Sequence, residues 1–110
     1  MKTINLEQKE ILMLEQTLRV PIETFGNEIF RYKLSDDYLE IYSLFGKIEK
    51  YSNEKEELSF NKHDVFLILK GFLFARDICD PIEFHTLTGF NWSESNDLVI
   101  KLLNFLVNSK

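Results

Sequence analysis

The residues able to do chemistry are few, and their spacing decides what they can do. His63, Cys79 and His85 are the side chains that would hold a zinc ion. Cys79 and His85 stand six apart across Pro81, and no pair has the i, i+4 spacing of a helical histidine motif, so no metal site is expected. Asp36/Glu40 and Asp80/Glu83 are carboxylate pairs at i, i+4 and i, i+3, each able to share a helix face as general acid–base chemistry requires. Both pairs stand at helix starts, however, where carboxylates answer the helix dipole. Gly26, Gly46, Gly71 and Gly89 are scattered and form no phosphate loop, and no serine lies in a nucleophile-elbow context. No catalytic residue and no cofactor are expected. A small enzyme would have to rest on Asp80, Glu83 and His85.

The remaining chemistry is that of recognition. Of 15 aromatic residues ten are Phe, while Tyr38, Tyr42 and Tyr51 fall on a segment dense in carboxylates, with Tyr32 just before it. The charge is unevenly distributed: residues 1–34 are neutral, residues 35–60 carry −4 and residues 61–110 carry −1, giving the net −5. That segment would repel nucleic acid, whose affinity rests on Lys and Arg neutralising phosphates. It would attract a basic protein. Tyrosines among carboxylates suit a protein interface, in which aromatic anchors give affinity and charges steer encounter. The expected partner-binding residues are therefore Asp36, Asp37, Glu40, Glu54, Glu56 and Glu57, with Tyr38, Tyr42 and Tyr51 as anchors. The alternative is that these tyrosines only cover the edge of the core with their hydroxyls in water. Trp92 precedes the last helix and is expected to staple Phe90 to it.

Helical elements must position these residues. Asn5 with Gln8 has the spacing of a capping box, and Ile11, Leu14 and Leu18 form a stripe with Glu7, Lys9, Glu10 and Glu15 on the wet side, predicting a helix over 5–19 that Pro21 stops. Residues 20–34 alternate in strand fashion around Gly26-Asn27 and predict a small β-hairpin, the alternative being an irregular connection. Ser35 caps a helix over 35–52 whose interior Gly46 suggests close helix packing. Leu58 and Phe60 predict a brief strand beside the hairpin. Asn61 caps a helix over 62–79 that is apolar nearly all round and should be the most buried element. Asp80-Pro81 opens a short turn facing Ile82, Phe84 or His85, and Leu87 inward, with Gly89 as its C-cap. Ser93 caps a last helix over 93–108.

The chain is 110 residues long, enough for one domain spanning 1–110 that folds without staples. It has no apolar run long enough to span a bilayer, and residues 1–5 do not resemble a signal peptide, so a cytoplasmic location is expected. The lone Cys79, flanked by Asp77 and Asp80, reads as a small buried hydrophobe in a reducing compartment. The fold class expected is a mainly α, compact single-domain bundle of about four helices plus a short helical turn.

The run from Ile82 to Phe90, followed by Ser93-Glu94 and the apolar stretch from Leu98 to Leu103, resembles the closing helix–turn–helix of small bacterial proteins of immunity-type role. The likeness covers about thirty residues and implies a toxin-binding inhibitor without assigning any residue a role. The expected function is a non-catalytic protein-binding module that neutralises a basic toxin. The alternative is a phage or host regulatory adaptor that inhibits a nucleic-acid enzyme by mimicking its acidic ligand. Homodimerisation through the aromatic-rich helices is a further expectation.

Overall fold

Thr3-Ile4-Asn5-Leu6 alternates polar and apolar side chains, as does Leu58-Ser59-Phe60-Asn61, and extended chains of this pattern bury one face. In the computed structural model, which describes residues 2–24, 27–52 and 58–108, these segments are β1 (Thr3–Leu6) and β2 (Leu58–Asn61). They pair antiparallel with Ile4 opposite Phe60 and Leu6 opposite Leu58. Leu6, Leu58 and Phe60 are buried, and the Ser59 hydroxyl donates to Asn5 Oδ1 on the outer face. The expected strand at 58–60 is therefore present, but its partner is the N-terminal segment rather than a hairpin.

The first helix, α1 (Gln8–Arg19), starts later than expected because Asn5 lies in β1. The capping role passes to Glu7, whose backbone N–H donates to Glu10 Oε1 at 2.9 Å. Ile11, Leu14 and Leu18 face the core as expected. Glu15 is also buried, and Arg19 pairs with it at 3.0 Å while reaching Glu49 at 3.0 Å.

The hairpin expected at 20–34 is absent. α1 does end at Arg19 as expected, but the chain keeps winding: Pro21 is carried in a π-helical turn, Val20–Thr24, whose wider winding accommodates a residue without an N–H. Asn27–Leu34 then forms α2. In a strand Tyr32 and Leu34 would share a face, but here Leu34 is buried while Tyr32 is 80% exposed, which is helical geometry. A 3-10 turn, Ser35–Asp37, leads into α3 (Tyr38–Ser52).

Four residues of β2 end in Asn61, whose side chain accepts the Asp64 N–H at 2.8 Å and caps α4 (Lys62–Asp77). This helix buries Val65, Leu67, Ile68, Leu69, Phe72 and Ala75 and packs against α1, α2, α3, α6 and β2, as the central, most buried element was expected to do. Asp80 and Glu83 form the reciprocal capping box of α5 (Pro81–Thr88), and Gly89 ends it at φ +80°, a backbone conformation suited to glycine. Phe84 and Thr88 turn inward, whereas Ile82, His85 and Leu87 are exposed, correcting the expected inner face. The last helix, α6 (Trp92–Asn108), begins after Asn91, whose N–H donates to Glu94 Oε1.

The architecture is thus mainly α, with six helices and one small sheet among the described residues. The main core joins β1, α1, α3, β2, α4 and α6. A second cluster holds Leu34, Tyr38, Ile41 and Leu67. A third holds Val20, Cys79 and Phe84 under Phe90 and Trp92. There Trp92, the first residue of α6 rather than one before it, meets Phe84 edge-on at 5.5 Å with the Arg76 guanidinium 4.3 Å over its indole, so it fastens α6 to α5 and α4, while Phe90 packs on the same cluster. Cys79 is free and buried, and burial pushes its thiol pKa up, with Glu83 and Asp80 adding to the effect.

Gly46 is not a close-packing glycine. It is exposed, and a Cβ built there meets nothing within 4 Å. Gly46→Ala is therefore expected to raise stability by about 0.5–1 kcal/mol, seen as a higher urea midpoint with unchanged m. Phe72→Ala, in the centre of α4, is expected to lower stability by about 3–5 kcal/mol in the same measurement.

Candidate protein-binding face

The 3-10 turn Ser35–Asp37 and the first turns of α3 gather the residues expected to bind a partner. Asp36 is exposed. Asp37 faces α4 and accepts from Lys70 Nζ at 2.6 Å. Glu40, one turn on, lies 2.8 Å from His63 Nε2, again on α4. Two of the expected carboxylates therefore tie the start of α3 to α4, and Lys70, joined by His63 when it is protonated, reduces the local negative potential. Lys47 and Lys50 are also exposed further along α3. Glu54, Glu56 and Glu57, which hold much of the segment's acidity, lie outside the described residues.

The three tyrosines separate by burial. Tyr38 is only 5% exposed; its ring packs with Leu34, Ile41 and Leu67, under the Arg31 guanidinium at 5.1 Å. Tyr51 is half-buried against the main core. Both fit the alternative in which tyrosines cover the core edge. Tyr42 is 46% exposed, held at 5.8 Å from Tyr38 in a tilted ring contact. Of the three expected anchors, Tyr42 is the one with substantial surface to offer.

Leu39, in the first turn of α3, is 75% exposed despite its apolar side chain. The reason is angular: Ile41, Phe45 and Ile48 define the buried stripe, and Leu39 falls on the opposite side of the helix. Its i, i+3 neighbour is Tyr42, so the two make one exposed apolar pair, with Asp36 and Glu40 nearby in sequence. A shallow cleft of about 330 Å³ opens beside them, lined by Leu39, Glu40, Ser43, Leu44, Asp64 and Leu67.

Asp80, Glu83 and His85 are all exposed. The Asp80 carboxylate accepts the Glu83 N–H at 2.8 Å, and Glu83 accepts the Asp80 N–H at 3.3 Å, so both are engaged in capping. A second cleft of about 360 Å³ lies between α1 and α6, where Lys9 pairs with Glu94 at 2.6 Å and Lys101 with Glu10 at 2.7 Å. Among the described residues no group of three or more His, Cys, Asp or Glu is arranged to hold a metal ion. None of their helices is long and apolar enough to cross a membrane. The chain matches no protein-family profile, no curated protein and no solved structure.

The His63–Glu40 contact has a pH consequence. The hydrogen bond to Glu40 raises the His63 pKa above its ordinary 6.5, against an opposing desolvation effect and with weaker help from Glu40, Asp64 and Asp37 charges. Since the folded-state value is the higher, the stabilisation is fully present below pH 6.5 and is lost as pH rises through the raised value. In an NMR titration, Glu40→Gln is expected to bring the His63 midpoint back down toward 6.5. An unmoved midpoint would mean that Glu40 does not hold His63 in solution.

Proposed function

We propose that the chain is a non-catalytic protein-binding module of the immunity or antitoxin kind, which binds and neutralises a basic toxin domain in the cytoplasm through the start of α3. The observation that carries this reading is the exposed pair Leu39 and Tyr42 beside Asp36 and Glu40. Large apolar and aromatic groups held on a rigid helix, with carboxylates at their rim, are what an interface needs for anchoring and for steering. The cognate surface is a basic patch around an apolar pocket. The charged segment carrying Glu54, Glu56 and Glu57 follows the same helix in sequence and adds to the attraction.

The two contributions separate by experiment. Affinity capture from the source cell is carried out with the wild-type chain, with Leu39→Ala/Tyr42→Ala and with Asp36→Lys/Glu40→Lys. The wild type should retain one basic partner that arrests growth when expressed alone and is relieved by co-expression. The apolar double variant should weaken binding by more than about tenfold while keeping its helical circular dichroism. The charge-reversed variant should mainly slow association and flatten its salt dependence. Retention of the same partner with equal affinity by both variants would overturn the assignment of this face, and a partner that is not toxic would overturn the immunity reading.

A further inference from the structure

Helices α4 and α6 run antiparallel. At one end Arg76 Nη2 donates to Asn96 Oδ1 at 2.5 Å. At the other, Lys2, next to the β1 residue that pairs with Asn61, donates from Nζ to the Asn108 carbonyl. Their inner sides meet in the main core through Leu69, Phe72, Leu98, Val99 and Leu102. Their outer flanks carry a second set of apolar residues that no core cluster includes. Phe66 and Leu73 stand seven apart on α4 and are 54% and 36% exposed. Ile100, Leu103 and Val107 follow at i, i+3, i+7 on α6 and are 55%, 44% and 67% exposed. The helical periodicity places all five on the same outer side of the pair. Antiparallel matching sets Leu103 near the middle, with Phe66 and Leu73 to either side. Together they expose about 400 Å² of apolar surface, the size of the largest such patch on a typical monomer, which is often functional.

We propose that this flank is a homodimer interface and that its occupant is the same flank of a second copy. The charges at its ends choose the partner, since Lys70, between Phe66 and Leu73 on the same stripe, is already paired with Asp37 at 2.6 Å. Lys62 and Asp77 are exposed at the two ends of the α4 outer flank, four residues before Phe66 and four after Leu73. A two-fold axis lying in the interface and crossing the helices lays α4 antiparallel on α4 of the other copy. That operation sets each Lys62 against an Asp77 of the other copy, Phe66 against Leu73, and Ile100 against Val107, with Leu103 meeting itself at the axis. An isologous contact demands this reciprocity, in which residue i meets j and j meets i. Along the α6 edge the exposed neighbours are the amides Asn96 and Asn104, with the exposed Asp97 farther round toward α1. The apolar area is below that of a standard interface, so the dimer is weak, with a dissociation constant in the micromolar range. The proposal does not depend on the role assigned to the start of α3.

Sedimentation equilibrium of the full chain over a concentration series tests the interface. The wild type should shift from monomer to dimer across the micromolar range. Ile100→Glu/Val107→Glu, at two of the most exposed positions of the patch, should stay monomeric with unchanged helical circular dichroism. Lys62→Glu and Asp77→Lys should each weaken the dimer severalfold, and the two together should restore it, because the reversed pair is again complementary. A wild-type chain that remains monomeric throughout the series would overturn the proposal. So would a dimer that survives Ile100→Glu/Val107→Glu, or a double charge swap that weakens dimerisation as much as the two single changes combined.

Discussion

Helix α4 is apolar over more than half of its circumference, and no single neighbour can cover that arc. Val65, Ile68 and Phe72 belong to the main core, whereas Leu67 belongs to the cluster under α2 and α3. A lone helix of this composition would leave several large side chains in water, at a cost of about 1.5–3 kcal/mol each. The chain meets most of the demand by laying α1, α2, α3 and α6 around α4, leaving the sector of Phe66 and Leu73 open. Most of the other local features serve that arrangement. Arg19 joins α1 to Glu49 of α3, and Lys9 and Lys101 join α1 to α6 through Glu94 and Glu10. These contacts are partly exposed and each contributes little, so they set register between helices that burial has already brought together.

The two-stranded sheet has a different role. β1 and β2 are four residues each, too short to be stable alone, and they join the chain's start to the residues before α4. Leu6 and Phe60, on its inner face, are buried in the main core. The sheet therefore fixes where α1 and α4 both begin. Through Asn61 it also caps the central helix directly.

What was legible in the sequence follows from how local its physical cause is. α4, α5 and α6 can be read from the chain because a continuous apolar run, an Asp-Pro start and a glycine stop are local signals. β1 and α2 could not be read so easily. The alternation in Thr3–Leu6 is four residues long and gains meaning from a partner more than fifty residues away. The Gly26-Asn27 step with flanking alternation has the form of a hairpin, yet burial of Leu34 beside α3 and α4 favours a helix over residues 27–34. The expected face was legible in location but not in composition. Asp37 and Glu40 meet Lys70 and His63 from 33 and 23 residues along the chain, and no spacing rule within residues 35–60 reveals such partners. The exposure of Leu39 was accessible in principle: apolar residues at 38, 39, 41, 42, 44, 45 and 48 cover too wide an arc for all of them to point at one core.

Those ion pairs also decide how the start of α3 can act. A basic partner approaching Asp37 or Glu40 finds them already engaged and must share or displace Lys70 and His63. Such pairs at a surface are worth under about 1 kcal/mol, so displacing them is no serious barrier, but re-forming them with a partner gains little either. An apolar or aromatic anchor buried in a complementary pocket can contribute 2 kcal/mol or more. In the proposed complex, affinity would therefore come chiefly from Leu39 and Tyr42, while the carboxylates would govern the rate and direction of approach. The same magnitudes apply to the interface proposed along α4 and α6, where Phe66, Leu73 and the α6 stripe would supply area, and Lys62 and Asp77 would only select the orientation of the copy that covers it. Leu39 and Tyr42 stand on α3 and Phe66 and Leu73 on α4, so a partner at either surface would meet side chains whose backbone is already helical.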